Sequence, residues 1–181
     1  MNRKRLILLI ITGGFIFAGY FFLRPSSNAH DVANGVFANR QNFDAFMAAS
    51  EATVQRVHYK GESKGNEGAL RDRGYIHETQ FQIPSEQREE LKRLLAAKSS
   101  YAWGIEKGCG PEYAMLVHFR SSNSVISVGF CFDCKELVVL KSDSNLVKKL
   151  NIEYNFDPIS SELAAIARSI FPNDPEIRAV K

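Results

Sequence analysis

The chain has 181 residues, of which 45% are hydrophobic and 24% are charged, and its formal net charge is +3. Four of the 23 basic residues flank an apolar stretch near the N-terminus, so the rest of the chain holds 23 − 4 = 19 basic against 20 acidic residues, a net of −1. A domain this close to neutral lacks the basic surface of a nucleic-acid-binding protein, and we expect no nucleic-acid partner.

The apolar stretch begins at Leu6 and ends at Leu23 without a charged residue, close to the roughly 20 residues that span a bilayer. The basic cluster before it predicts a cytoplasmic N-terminus and export of the remainder of the chain. Two interpretations of residues 1–24 are possible. They are a permanent signal anchor, which crosses the cell inner membrane once, or they are part of a signal peptide that is cleaved after Ala29. We favour the anchor because the run exceeds the roughly 7–15 residues of a signal-peptide core. Both interpretations place the domain in the periplasm.

After a tether predicted over residues 25–41, which are rich in Ser, Asn, Ala and Gly, an α+β domain is predicted over 42–172. Its elements are, in chain order, a helix from residue 42 or 44 to about 50, strands over 53–60 and 75–83, a helix over 85–98, strands over 113–120, 125–130 and 136–141, and a helix over 157–170. Residues 173–181 are predicted to form a loose tail. The expected fold is α+β: an N-terminal transmembrane helix, then a two-layer domain with an antiparallel sheet and about three helices.

The sequence predicts the pairing of the strands in most detail for the hairpin over residues 113–132. Two segments of β-forming residues are separated by the polar cluster 121–124, which is typical of a turn. Placing Arg120 opposite Val125 makes one face of the hairpin wholly apolar, and a shift of one residue would break that face. The pairs expected on this face are Phe119 with Ile126, Val117 with Val128, Met115 with Phe130, and Tyr113 with Phe132.

Three cysteines in an exported domain allow one disulfide bond and leave one thiol. The register of the hairpin brings Cys109 and Cys134 to one end and one face, so this pair is our first choice for the disulfide. A bond from Cys109 to Cys131 is the second choice. Either bond would close a loop of about 25 residues, worth about 3 kcal/mol in the chain-entropy model.

Two other hypotheses concern the same cysteines. Cys131 and Cys134 form a C-x-x-C pair, which in a thiol-disulfide oxidoreductase would exchange disulfides. A strand rather than a helix follows this pair, so the helix dipole that stabilises a thiolate in thioredoxin-type enzymes is missing. The spacing of Cys109, Glu112, Cys131 and Cys134 also resembles a zinc ribbon in which Glu112 replaces one cysteine, which would give a zinc-stabilised domain.

The cysteine region resembles the core of small exported or membrane-anchored bacterial proteins of uncharacterised function. The resemblance covers roughly residues 109–172, and its features are Cys109-x-Pro111-x-Tyr113, Cys131-Phe132-x-Cys134 and a helix that ends at Phe171-Pro172. It implies a periplasmic bacterial envelope protein and carries no activity or catalytic residue to this chain.

No catalytic serine, phosphate-binding loop or paired carboxylates can be recognised, and we expect no cofactor. The sequence therefore favours a membrane-anchored binding or interaction module over an enzyme. Its expected contacts are the inner membrane and a protein partner in the envelope.

Overall fold

The computed structural model describes residues 27–59, 75–105, 107–122, 124–143, 146–150 and 153–180. Within these ranges the chain forms five α-helices: α1 (Ser27–Asn34), α2 (Arg40–Met47), α3 (Ser85–Ala96), α4 (Ser160–Ile170) and α5 (Pro175–Ala179). The same ranges contain eight strands: β1 (Glu51–Tyr59), β2 (Tyr75–His77), β3 (Phe81–Gln82), β4 (Met115–Arg120), β5 (Val125–Cys131), β6 (Glu136–Asp143), β7 (Leu146–Lys149) and β8 (Tyr154–Asn155).

The strands form an antiparallel sheet whose six-strand path runs β2-β1-β4-β5-β6-β7. Strand β3 also pairs with β1, and β8 pairs with β6. The segment predicted as one strand over residues 75–83 is thus two short strands, β2 and β3, which both pair with β1. Strands β4, β5 and β6 follow one another through short turns, which is the connection that antiparallel neighbours allow.

The hairpin of β4 and β5 has the register predicted from its alternation of apolar residues. Arg120 pairs with Val125 and Met115 with Phe130, so this register is confirmed. The apolar face is fully buried along both strands. A shift of one residue would turn this whole face towards the other side of the sheet, which explains why the sequence specifies the register so well.

One expected pair of the hairpin is not formed. The ladder between β4 and β5 ends at Met115, and Tyr113 packs on the opposite face of the sheet from Phe132. Its ring covers Gly129, where an added Cβ would lie 3.3 Å from the Cδ1 atom of Tyr113. Glycine lets the ring approach the backbone here, since a Cβ at this position would make tight contacts with Tyr113 and Val138.

The main core lies between one face of the sheet and the helices, and all five helices contribute buried side chains to it. Phe46 of α2 stacks on Phe37 with ring centroids 4.7 Å apart and meets the edge of Phe119 at 4.8 Å. A smaller cluster, here called the second cluster, lies on the opposite face. It consists of Val57, Tyr113, Leu116, Cys131, Cys134, Val138 and Leu140.

Residues 25–41, predicted to be a tether, contain α1 and the start of α2 from residue 27 onwards. Val32, Val36 and Phe37 are fully buried in the main core. Helix α2 begins after Asn39, whose side chain accepts a hydrogen bond of 2.9 Å from the N–H of Asn42. The polar composition of the segment concealed this packing, because the rings that cover Phe37 belong to Phe43 and Phe46 of the next helix and the rest of the core comes from distant parts of the chain.

The predicted loose tail, residues 173–181, contains α5. Asp174 caps this helix by accepting hydrogen bonds of 2.9 Å from the N–H groups of Glu176 and Ile177. Ile177 is fully buried in the main core, and Asp174 also forms an ion pair of 2.7 Å with Arg56 of β1. The segment is therefore part of the domain.

The predicted fold class is wrong in its membrane element. Within the described ranges, no helix is long and apolar enough to cross a membrane. The longest of these helices, α3, has 12 residues, which gives a length of about 18 Å at 1.5 Å per residue. The hydrocarbon layer of a bilayer is about 30 Å thick. The stretch from Leu6 to Leu23, on which the prediction rested, lies outside the described residues. The described chain is an α+β domain with an antiparallel sheet and five helices instead of about three.

Candidate functional site: a cleft beside the cysteine cluster

A disulfide bond joins Cys109 to Cys134, with the two Cα atoms 6.2 Å apart, within the usual range for such bonds. Cys109 is exposed in the loop before β4, whereas Cys134 is buried in the turn between β5 and β6. Lys135 in this turn has a φ of 53°, the left-handed conformation that a tight turn requires. The disulfide thus fastens the loop before β4 to the β5–β6 turn.

Glu136, the first residue of β6, lies beside this disulfide and is only 6% exposed. Its Oε2 atom is 3.9 Å from the Sγ atom of Cys109. Burial raises the pKa of Glu136, the negative charge of Glu153 raises it further, and the positive charge of Lys107 opposes this shift. Donor atoms of Cys109, Cys134 and Glu136 all lie within 4.8 Å of one another, and these residues are the only group of potential metal ligands of this kind in the described part of the chain. We call them the cysteine cluster.

Asn155 and Lys107 surround the cysteine cluster. Asn155 of β8 stands directly opposite Glu136 in the sheet and is 3% exposed. Its Oδ1 atom accepts a hydrogen bond of 2.8 Å from the N–H of Asp157, but its Nδ2 group has no partner among the described residues. Lys107 donates to the carbonyl of Cys134 at 2.7 Å and to Asp157 at 2.9 Å. A buried amide donor without a partner is unusual and costs stability.

Cys131, the third cysteine, is a free thiol within the second cluster and is 1% exposed. Its Sγ atom accepts a hydrogen bond of 3.4 Å from the N–H of Cys134. Burial is the main influence on this thiol and raises its pKa, so the nucleophilic thiolate is disfavoured. These are the surroundings of a structural cysteine rather than of an attacking thiol in a redox pair.

The zinc-ribbon set predicted from the sequence is only partly brought together. Cys109 and Cys134 meet, but the donor atoms of Glu112 and Cys131 are not part of the cysteine cluster. The third residue of the cluster is Glu136, which the sequence analysis did not predict. A signal was available, because β6 follows β5 through a four-residue turn that pairs Cys131 with Glu136.

A cleft of about 290 Å³ opens next to the cysteine cluster. Strand β1, the loop before β4, the β5–β6 turn and helix α5 form its walls. The residues that line it are Arg56, Val57, His58, Tyr59, Glu112, Tyr113, Ala114, Phe132, Asp133, Glu176, Ile177 and Val180. The lining contains one arginine, Arg56, and three carboxylates, those of Glu112, Asp133 and Glu176. Its formal charge, counting the histidine as neutral, is therefore 1 − 3 = −2.

Arg56 forms the buried wall of the cleft and is 2% exposed. Its Nε atom donates to Asp174 at 2.7 Å, its Nη1 atom donates to the carbonyls of Val57 (2.9 Å) and Ala114 (2.5 Å), and its Nη2 atom donates to Glu176. The guanidinium is therefore satisfied by protein groups and is balanced by two carboxylates. Its role is to hold α5 against β1, which shapes one side of the cleft.

The exposed rim of the cleft is acidic. Glu112 and Asp133 are exposed, and neither forms an ion pair with another described residue. The side chain of Glu176 is 71% exposed, and its Oε2 atom is 3.7 Å from the Nδ1 atom of His58. The Nε2 atom of His58 in turn lies 2.8 Å from Glu78. The rim thus presents carboxylate oxygens that can accept hydrogen bonds from a cationic ligand.

A second polar arrangement, on the face of the second cluster, links His118 to Ser127. The Nδ1 atom of His118 is 2.7 Å from the Oγ atom of Ser127, and its Nε2 atom is 3.0 Å from Gln55, to which Gln80 donates at 2.6 Å. A serine beside a histidine has the form of a nucleophile and its base. Ser127 is only 5% exposed in the middle of the sheet, however, and none of these residues lines the cleft. We interpret the arrangement as hydrogen bonding that satisfies buried polar groups.

No protein-family model, no curated protein and no solved structure matches this chain.

Proposed function

We propose that this chain is an extracytoplasmic binding module whose cleft holds a cationic group of a protein partner in the envelope. The observation that carries the proposal is the lining of the cleft, in which three carboxylates accompany a single, already neutralised arginine. Its volume of about 290 Å³ lies at the lower end of the range for ligand pockets, which suits one basic side chain or a small amine.

The disulfide supports this proposal because it fixes the acidic rim. Glu112 follows Cys109 by three residues, and Asp133 directly precedes Cys134. The bond between the two cysteines therefore ties both carboxylates to one rigid part of the molecule. A rim that is ordered before the ligand arrives loses less conformational entropy on binding.

The disulfide also favours the proposed compartment, because such bonds persist in the periplasm and are rare in the cytosol. The alternative function, a thiol-disulfide oxidoreductase using Cys131 and Cys134, has less support. Cys134 is bonded to Cys109 rather than to Cys131, and burial raises the pKa of the Cys131 thiol. A binding role requires neither a reactive thiol nor an exchangeable disulfide.

The test is calorimetric titration of the full-length protein with an acetylated and amidated tripeptide that has a central arginine. The variant Glu112→Gln/Asp133→Asn/Glu176→Gln removes three negative charges from the cleft. A matched control removes three negative charges outside the cleft, from exposed or half-exposed positions on α2 and α3: Asp44→Asn, Glu86→Gln and Glu90→Gln.

The cleft variant is expected to bind the arginine peptide about tenfold more weakly, which corresponds to about 0.5 kcal/mol for each exposed charge pair. The control should bind like the wild type, and salt should weaken wild-type binding. Equal affinity of the two variants, or equal binding of a tripeptide with a central glutamate, would contradict the proposal.

A further inference from the structure

We propose that the cysteine cluster is a redox-controlled zinc site, in which Cys109, Cys134 and Glu136 bind Zn²⁺ once their disulfide is reduced. The same residues would thus hold either a disulfide bond or a metal ion. This site is separate from the acidic rim of the cleft, and the proposal does not depend on the proposed binding function.

The ligand types and their spacing fit zinc. Two thiolates and one carboxylate are common zinc ligands, with bond lengths of about 2.3 Å to sulfur and 2.0–2.2 Å to oxygen. Tetrahedral geometry then separates a sulfur from an oxygen ligand by about 3.6 Å. The Sγ atom of Cys109 is 3.9 Å from the Oε2 atom of Glu136, and the three donors lie within 4.8 Å of one another. Only small side-chain movements would close this group around an ion.

The surroundings of Glu136 also indicate a ligand. Asn155, opposite Glu136, is almost fully buried, and its Nδ2 donor has no partner within the described ranges. Carboxylates that bind a metal are ordinarily held in place by a further hydrogen-bond donor. A zinc ion bound by Glu136 would account for the buried carboxylate, and the amide of Asn155 opposite it offers the donor that such a ligand needs.

Zinc would neutralise most of the negative charge at the site. Two thiolates and one carboxylate carry −3, and Zn²⁺ reduces this to −1. Lys107, which donates to the carbonyl of Cys134 at 2.7 Å, adds a positive charge at the edge of the cluster. Asp157 pairs with this lysine at 2.9 Å, so the neighbourhood remains favourable to a cation.

Reduction of the disulfide requires a dithiol reductant, and Cys109 is the exposed partner that such a reductant can reach. A thiolate of the reductant attacks one sulfur, the S–S bond breaks, and the second thiolate of the reductant completes its own disulfide. Two electrons pass to this chain, whose cysteines become two thiols by taking up two protons. Binding of Zn²⁺ then releases these two protons as the thiolates coordinate the metal.

The test uses full-length protein, oxidised or reduced with a phosphine under argon, and titrates it with Zn²⁺ against a chromophoric chelator. One Zn²⁺ per chain is expected for the reduced protein and none for the oxidised protein. Substitution with Co²⁺ should give thiolate-to-metal charge-transfer absorption and the intense visible bands of a tetrahedral site.

Three variants show which residues bind the metal. Glu136→Gln keeps the size of the side chain and should weaken zinc binding at least tenfold. Asn155→Ala should weaken it by about 10–100-fold and shift the visible cobalt bands. Cys131→Ser, the matched control, should bind zinc like the wild type, because this cysteine is outside the cluster.

Absence of zinc binding by the reduced protein would overturn the proposal. Loss of binding in Cys131→Ser, or wild-type affinity in Glu136→Gln, would also overturn it, because the ligands would then be a different set. Circular dichroism of each variant verifies that the domain is folded, so that a loss of binding reports on the site.

Discussion

Replacement of Arg56 by Met tests whether this buried arginine holds the C-terminal helix and one wall of the cleft. Met has a similar reach, so the substitution removes the charge and the hydrogen bonds with little change in packing. The lost interactions are the pair with Asp174, the bonds to the carbonyls of Val57 and Ala114, and the pair with Glu176. All four depend on a guanidinium that is 2% exposed.

The magnitude depends on the exposure of each partner. The bonds to Asp174 and to the two carbonyls are sheltered from solvent and contribute about 1 kcal/mol each. The pair with Glu176 contributes under about 1 kcal/mol, because the side chain of Glu176 is 71% exposed and water screens it. The variant should therefore lose about 3–4 kcal/mol of unfolding free energy, or roughly 10 °C in Tm for a domain of this size.

The assay is urea unfolding of the full-length protein followed by far-ultraviolet circular dichroism, with Glu176→Gln as the control. The control removes only the exposed partner and should cost under about 1 kcal/mol. If Arg56→Met unfolds within about 1 kcal/mol of the wild type, or costs no more than the control, then the arginine does not anchor α5 and does not form the cleft wall in the way described above.

Two further predictions concern the cysteine cluster. Cys109→Ser/Cys134→Ser should lower the unfolding free energy by about 3 kcal/mol, because the disulfide closes a loop with a sequence separation of 25 residues. Cys131→Ser, the control, should lower it much less. An equal loss for the two variants in chemical denaturation would contradict this prediction. Glu136→Gln should raise Tm at pH 7. The pKa of this carboxyl is higher in the folded protein than in the unfolded chain, so its negative charge destabilises the folded state at a pH above that pKa, and the neutral glutamine removes the charge. This gain should disappear as the pH falls to the ordinary pKa of glutamate, about 4.3. A gain that is the same at pH 4 and pH 7 would contradict the raised pKa of Glu136.

The sequence predicted the features that depend on local alternation. The register of β4 and β5 could be derived from apolar residues at every second position, which only one pairing could bury together. Pairing of Cys109 with Cys134 was favoured for the same reason, since the hairpin carries both residues to one end. The structure contains this disulfide.

Contacts between distant segments could not be predicted from the sequence. Val36 and Phe37 lie in a segment of linker-like composition and are buried only because α2 and the sheet cover them. Ile177 is the single buried residue of α5, and its position depends on Arg56, 121 residues earlier in the chain. One apolar residue among charges gives no periodic signal, so residues 173–181 were predicted to form a loose tail.

The cleft depends on the same long-range contacts, and its walls come from four separated parts of the chain. The charges of Glu112 and Asp133 are visible in the sequence, but their convergence with Glu176 appears only after α5 packs against β1. Glu136 was missed for a simpler reason. A charged residue at the start of a strand ordinarily faces solvent, whereas the β5–β6 turn places Glu136 beside the disulfide.

The most direct test of the proposed binding site is to locate the bound ligand by nuclear magnetic resonance. Full-length protein labelled with ¹⁵N is titrated with the tripeptide that has a central arginine, and the amide shifts are followed. We expect shifts that are concentrated at Glu112, Asp133 and Glu176 and their neighbours, with little change on α3, and that are lost in the triple cleft variant. Shifts centred elsewhere, or no shifts at ligand concentrations that saturate the calorimetric titration, would contradict the claim that the acidic cleft is the binding site.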